Sequence, residues 1–105
     1  MKLKEGVLIG GIKPEIVLAA IVIEPLFEKY GVEMVATSCM DGKHSRNSKH
    51  YLGYAIDLRS RDLSSKDQQL LLIDIRAALT AEFYIDLEKD HYHLQFNGSV
   101  IGQGE

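Results

Sequence analysis

The hydrophobic and polar positions of the chain first predict a helix near its beginning. An unbroken apolar run covers 16–23, and Pro14 just before it suits the first turn of a helix, where its missing N–H costs nothing. Gly31 is a natural C-terminal stop, so we expect the helix to run from Pro14 to Tyr30. Pro25 is expected to kink this helix or to split it after about three turns.

A second helix is predicted over 66–81. Ser65 followed by Gln68 has the form of a capping box, in which each side chain bonds the backbone N–H of the other residue. One face of this helix is expected to carry Leu70, Ile73, Ala77 and Leu79–Thr80, as in an amphipathic helix.

Four further stretches have the composition of strands, at 32–37, 55–59, 82–87 and 91–96. The short polar stretch between the last two suits a hairpin turn. The residues from 38 to 54 form a long polar loop, and a loop of that length in a small domain is commonly functional.

Length, charge and cysteine content narrow the possible functions. The chain of 105 residues fits one domain, 1–105. Twelve basic and fifteen acidic residues give a net charge of -3, which argues against a nucleic-acid partner. The basic stretch 43–49 has the composition of a solvated loop and lacks the aromatics that stack on bases. Cys39 is the only cysteine, so any metal site must use His, Asp or Glu, and we interpret Cys39 as a small buried residue.

Nothing in the pattern predicts a membrane segment. The apolar run at 16–23 is far too short to span a bilayer, and the lysine and proline at 13 and 14 interrupt the apolar stretch that a signal peptide needs. We therefore expect a cytoplasmic monomer without a signal peptide or membrane contact.

The four histidines fall into two groups, and their spacing suggests a metal site. His91 and His93 lie in one predicted strand, where residues i and i+2 point to the same face. A zinc site with an open position needs three protein ligands, which His50, Asp57 and one of the strand histidines would supply. Gly53 lets the backbone bend so that an imidazole and a carboxylate converge on one ion.

A catalytic metal site also needs a proton acceptor that is not itself a ligand. Asp90 lies three residues before His93 and could take a proton from the bound water and pass it to a leaving amine. Glu88 lies three residues before His91, so a second register has the same spacing. Spacing alone leaves both registers open.

Residues 48–57, SKHYLGYAID, resemble the Ser-x-His-x-x-Gly-x-Ala-x-Asp motif of the zinc D-alanyl-D-alanine carboxypeptidase family. That family includes the vancomycin-resistance D,D-peptidases and the L-alanyl-D-glutamate endolysins of bacteriophages. The family's second motif, an acidic residue three before a histidine, is similar to DHYH at 90–93. The stretch TSCMDGKHS also resembles the Thr-Ser turn that precedes the metal loop. Together the similar stretches cover about 34–96.

The resemblance implies a fold and a set of roles. The fold would be α+β, a small and mainly antiparallel sheet with helices packed on it, as in the hedgehog signalling domain. His50, Asp57 and His93 would bind Zn2+, and Asp90 would be the general base and acid. His91 would lie beside the catalytic centre or face the substrate.

The resemblance also implies residues that contact the substrate, and here the chain departs from the family. Ser48, Lys43 and Tyr51 are the candidate substrate-binding residues. Family members often carry an arginine soon after the Thr-Ser turn, where this chain has Cys-Met-Asp at 39–41. Arg46 is the candidate catalytic cation in its place, with Lys43 and Arg59 as alternatives.

These features predict a zinc metallopeptidase that hydrolyses peptidoglycan stem peptides at a D-Ala-D-Ala or L-Ala-D-Glu bond. Whether it acts as a carboxypeptidase or an endopeptidase depends on the shape of the cleft. The alternative is a non-catalytic metal- or ligand-binding module on the same fold, which the missing arginine favours.

Overall fold

Five strands form one open sheet, and two helices pack on one of its faces, in the part of the chain that the computed structural model describes, residues 1–40 and 52–98. The spatial order of the strands is β1-β2-β3-β5-β4, and every neighbouring pair is antiparallel apart from the parallel pair β1–β2. The predicted α+β class is confirmed. The elements are β1 Lys2–Leu3, α1 Pro14–Lys29, β2 Val35–Ser38, β3 Ala55–Arg59, α2 Ser65–Ala78, β4 Phe83–Leu87 and β5 His91–Phe96.

Helix α1 begins at Pro14, as predicted, and ends at Lys29, one residue before the predicted end. Gly31, the predicted stop, follows it with a φ of 76°. The expected split at Pro25 does not occur, because α1 continues unbroken through that residue. The N–H that Pro25 lacks would have bonded the carbonyl of Ile21. Ile21 is 63% exposed, so water can reach this side of the helix and satisfy the carbonyl.

The outward face of α1 is apolar as well as the buried one. The core side is formed by positions three and four apart, namely Ile16, Ala19, Ala20, Ile23 and Phe27. Large apolar side chains are also exposed on the opposite side, namely Val17, Leu18, Ile21 and Val22. Neither α1 nor any other helix in the described ranges is long and apolar enough to cross a membrane.

Helix α2 is capped one residue earlier than predicted. The Ser64 hydroxyl accepts a hydrogen bond from the backbone N–H of Asp67 at 3.2 Å, so the predicted cap at Ser65 is wrong. Gln68 also has a different role from the one predicted, because its side-chain amide donates to the carbonyl of Ser60 at 3.0 Å. That bond joins the first turn of α2 to the end of β3.

The buried face of α2 differs from the predicted one. Leu71, Leu72 and Ile75 are buried, whereas Leu70 and Ile73 are exposed. The four consecutive apolar residues at 70–73 do not define a single apolar face of the helix. Packing against α1 and β4 therefore decides which of them are buried.

The strands agree closely with the predicted pattern. Strands β3 and β5 have the predicted bounds, and β4 begins one residue later than predicted. The β4–β5 hairpin is confirmed, with the Glu88 N–H donating to the His91 carbonyl at 2.8 Å. Strand β2 begins at Val35, three residues late, and β1 was not predicted.

Residues 8–13 hold both ends of the stretch 41–51, which lies outside the described residues. The Met40 N–H donates to the Leu8 carbonyl at 2.8 Å, and the Lys13 N–H donates to the Gly53 carbonyl at 3.0 Å. Gly53 has a φ of 79°, and a Cβ atom built on it would lie 2.3 Å from the carbonyl oxygen of Gly11. Only glycine fits this close approach of two backbones.

Candidate functional site

The pairing of β3, β5 and β4 produces a polar face on the side of the sheet that the helices leave uncovered. Residues directly opposite each other in an antiparallel pair share a face. Asp57 lies opposite His93, Arg59 lies opposite His91, and Asp86 lies opposite His93 on the other side. His91 and His93 therefore share a face, as predicted, and Asp57 joins them there.

The contact between Asp57 and His93 lies at the centre of this face. Asp57 Oδ1 and His93 Nδ1 are 3.0 Å apart, and both side chains are largely buried, 12% and 17% exposed. The other ring nitrogen of His93, Nε2, lies 2.8 Å from the side-chain oxygen of Gln95. The hydrogen bond to Asp57 raises the pKa of His93, and burial only partly offsets that rise.

His91 joins Asp57 to the two carboxylates of the β4–β5 turn. Its Nδ1 lies 2.8 Å from Asp90 Oδ1, and its Nε2 lies 2.8 Å from Glu88 Oε1 and 3.7 Å from Asp57 Oδ2. Burial alone would lower the pKa of His91. The hydrogen bond to Asp90 and the charges of Asp57 and Glu88 outweigh burial, so the pKa is raised.

The two candidate proton acceptors share the same imidazole. Asp90 is 73% exposed, and its pKa is lowered, mainly by the hydrogen bond from His91. A general base works best when its pKa is near the working pH, so this pairing makes Asp90 a weak base. Glu88, 49% exposed, contacts His91 equally closely. The two registers therefore stay open. We refer to Asp57, Glu88, Asp90, His91 and His93 as the His–carboxylate cluster.

Sequence reasoning did not single out four side chains in or next to this polar face, namely Tyr84, Asp86, Gln95 and Asn97. Gln95 contacts His93, and its amide nitrogen donates to the Asn97 oxygen at 2.6 Å. The Tyr84 ring centroid lies 6.4 Å from that of His93, and the Tyr84 hydroxyl donates to Asp86 at 3.3 Å. The alternation of side chains along a strand could have identified these pairs, because residues two positions apart share a face. Gln95 follows His93 by two positions, and Tyr84 precedes Asp86 by two.

Several predicted site residues lie outside the described residues, and the structure does not place them. They are the metal ligand His50, the candidate cation Arg46 and the substrate-binding candidates Lys43, Ser48 and Tyr51.

The donor atoms at Asp57 and His93 fit two positions of a zinc site. Two ligands of a tetrahedral zinc ion, each bonded at about 2.0–2.1 Å, lie roughly 3.3 Å apart, close to the separation of Oδ1 and Nδ1 here. With Nε2 facing the Gln95 oxygen, Nδ1 of His93 is the nitrogen left to face a metal. Within residues 1–40 and 52–98 no set of three or more His, Cys, Asp or Glu side chains could hold a metal ion. A complete site therefore needs a third ligand from elsewhere in the chain.

Comparisons with models of protein families, with curated proteins and with solved structures find no match for this chain. Its function therefore has to be argued from the side chains of the site.

Proposed function

We propose that the chain is a zinc metallopeptidase that hydrolyses peptide bonds in peptidoglycan stem peptides. The observation that carries this proposal is the contact of Asp57 with His93 across two strands, beside a turn that supplies Asp90. Two of the ligand types that a hydrolytic zinc site needs thus face each other on a rigid sheet.

The proposed metal ligands are His50, Asp57 and His93. Asp57 is fixed by its strand, and Gln95 holds the His93 ring by accepting from Nε2. Nδ1 of His93 and the Asp57 carboxylate lie 3.0 Å apart, and a metal bound to both would replace their hydrogen bond. When bound, zinc lowers the pKa of a coordinated water toward about 7 and polarises the substrate carbonyl.

Asp90 is the proposed proton carrier. It would accept a proton from the attacking water and then deliver it to the departing amine. His91 positions this carboxylate through its hydrogen bond at 2.8 Å. Since that bond lowers the pKa of Asp90, we expect the base to gain strength when His91 loses its own proton.

The hedgehog/DD-peptidase type of fold and the substrate class belong to the same proposal. They come from the resemblance at 48–57 and 90–93. A mostly antiparallel sheet with helices on one face and a polar cluster on the other is compatible with that fold. Action on the cell wall after release from the cytoplasm, as a phage lysin, is part of this proposal.

A second candidate function is a metal- or ligand-binding module without catalysis. The observation that favours it is the state of Asp90, which is largely exposed and has a lowered pKa. Such a carboxylate binds cations more readily than it transfers protons at neutral pH.

Zinc content and hydrolysis of purified peptidoglycan test the proposal together. We expect the wild type to bind one zinc ion and to release peptide termini, and Asp90→Ala to keep the zinc while losing about 10²–10⁴-fold in kcat. Asp57→Asn should lose zinc affinity. Asp74→Asn, which makes the same change on helix α2, should match the wild type.

The outcomes separate the candidates. Loss of turnover in Glu88→Ala, with Asp90→Ala active, would assign the base to the other register. Bound zinc without turnover in the wild type would favour the binding module. Failure of the wild type to bind zinc would rule out the metallopeptidase.

A further inference from the structure

A small cleft beside the His–carboxylate cluster is lined mainly by cations. Its volume is about 80 Å³, and its walls come from five separate positions at one end of the sheet. Three of them carry a positive charge and one a negative charge, in a chain whose net charge is -3. We call it the basic cleft, and its lining residues are Lys4, Thr37, Arg59, Arg61 and Asp90.

The positive charges of the basic cleft outnumber the one carboxylate among its lining residues by three to one. Arg59 is largely buried, 22% exposed, and approaches Asp62 only at 3.9 Å, which is long for an ion pair. Within the described ranges, no carboxylate forms a salt bridge with Lys4 or Arg61. Two guanidinium groups and an ammonium group therefore share one carboxylate, that of Asp90, which already bonds His91. The remaining excess of positive charge attracts an oxyanion.

The fold holds these cations in place from several directions. Lys4 follows β1, and its backbone N–H donates to the Ala36 carbonyl at 2.9 Å. Arg59 ends β3 and lies opposite His91 in the sheet. Arg61 follows in the turn after β3. The basic cleft is thus built on strand ends, which position side chains more rigidly than a free loop does.

We propose that the basic cleft binds a carboxylate group of the substrate. Its volume of about 80 Å³ has room for a group the size of one carboxylate. Asp90 lines the basic cleft and also bonds His91, so a carboxylate bound there lies directly beside the His–carboxylate cluster. The identification of the anion as a substrate group rests on the proposed function, whereas anion binding itself does not.

The test compares N-acetyl-D-alanine with N-acetyl-D-alaninamide, which differ only in the negative charge. Each is titrated into metal-free protein while backbone and arginine side-chain N–H signals are followed by NMR. We expect the acid to shift the signals of Arg59 and Arg61, and the amide to shift neither. Arg59→Gln and Arg61→Gln should weaken binding of the acid roughly tenfold each. Lys66→Gln, which removes an exposed charge on α2, should leave binding unchanged.

Folding of each variant is checked by thermal melting, and Arg59→Lys provides a second variant that keeps the charge. Equal binding of acid and amide, or equal weakening by Lys66→Gln, would overturn the carboxylate site. Binding of inorganic phosphate that the acid cannot displace would also overturn it. If the acid binds as expected but the wild type takes up no zinc, the proposed function fails and the basic cleft stands. If the wild type hydrolyses peptidoglycan and the arginine variants keep its KM, the carboxylate site is overturned and the proposed function stands.

Discussion

The two faces of the sheet are made by the same strands and have opposite chemistry. Along β5, Tyr92 and Leu94 are fully buried against the helices. Their neighbours His91, His93 and Gln95 point to the other side, where they bond one another and nearby carboxylates. A single strand thus carries a core and a polar cluster, separated only by the alternation of its side chains.

The difference between the faces is one of energy as well as composition. Fully burying a large apolar side chain stabilises a fold by about 1.5–3 kcal/mol. A hydrogen bond in a protein contributes only about 0.5–1.5 kcal/mol net, and an exposed ion pair about 0–1 kcal/mol. The covered face therefore supplies most of the stability of the fold, and a single neutral hydrogen bond on the open face contributes less than a buried apolar side chain.

Two substitutions in β5 should show the largest difference in stability between the two faces. Leu94→Ala leaves a cavity in the covered face and should lower the free energy of unfolding by about 2–5 kcal/mol. Gln95→Ala, one residue away on the open face, removes hydrogen bonds to His93 and Asn97 and should cost less than about 1.5 kcal/mol. Urea unfolding of both variants measures the two losses in free energy of unfolding. Equal costs would show that the open face contributes to stability as much as the core.

A pair of glycines tests how firmly the chain is held where it enters β3. Gly53 and Gly31 have nearly the same φ, 79° and 76°, so an alanine at either is strained by about 1–2 kcal/mol. At Gly53 the added Cβ also meets the Gly11 carbonyl, which should raise the cost by a further ~1–3 kcal/mol.

Gly31→Ala is the matched control, because no atom lies within 4 Å of its Cβ position. Thermal unfolding of Gly53→Ala and Gly31→Ala gives the difference directly. If the two variants unfold at the same temperature, the backbone near Gly11 can move to accommodate the added Cβ. Residues 8–13 are then not a rigid support.

The weakest effect that we expect is a pH dependence of the free energy of unfolding, which should come from the open face. The folded pKa values of His91 and His93 are raised, so their stabilising contribution is complete below the ordinary histidine value of about 6.5. It is lost as pH rises through the folded values. The metal-free protein should therefore lose stability as pH rises above about 6.5. Asp57→Asn removes the main cause of the raised His93 pKa and should flatten this slope.

Chelator-treated protein unfolded in urea at a series of pH values provides the measurement. Asp74→Asn serves as control, because its pKa is lowered by Tyr30 and Lys29 and affects stability only in acid. Wild type and Asp57→Asn with the same slope above about pH 6.5 would contradict the assignment.

Local chemistry allowed much of the fold to be predicted. Pro14 and Gly31 bound the first helix because their backbone preferences act at a single residue. The buried state of Cys39 was predicted as well. Burial in α2 was predicted wrongly, because consecutive apolar residues leave the choice of face to tertiary packing. The short strand β1 has two residues and too little pattern to be recognised.

The site was partly predictable for the same reason. The period of two placed His91 and His93 on one face, but it does not determine the partners across the strands. That Asp57 lies opposite His93, and that Arg59 lies opposite His91, depends on the register of β3 against β5. The meeting of Lys4 with Arg59 and Arg61 depends on β1 joining the sheet edge, which no local pattern indicated.

The bonds from residues 8–13 to Met40 and Gly53 have a consequence for how this protein can be altered. Because the scaffold secures the two junctions of the stretch 41–51, that stretch can be exchanged as a cassette. Doubling its length would add only about 0.6 kcal/mol of closure entropy. Sequences transplanted between the junctions would then begin and end at the same two fixed points of the backbone.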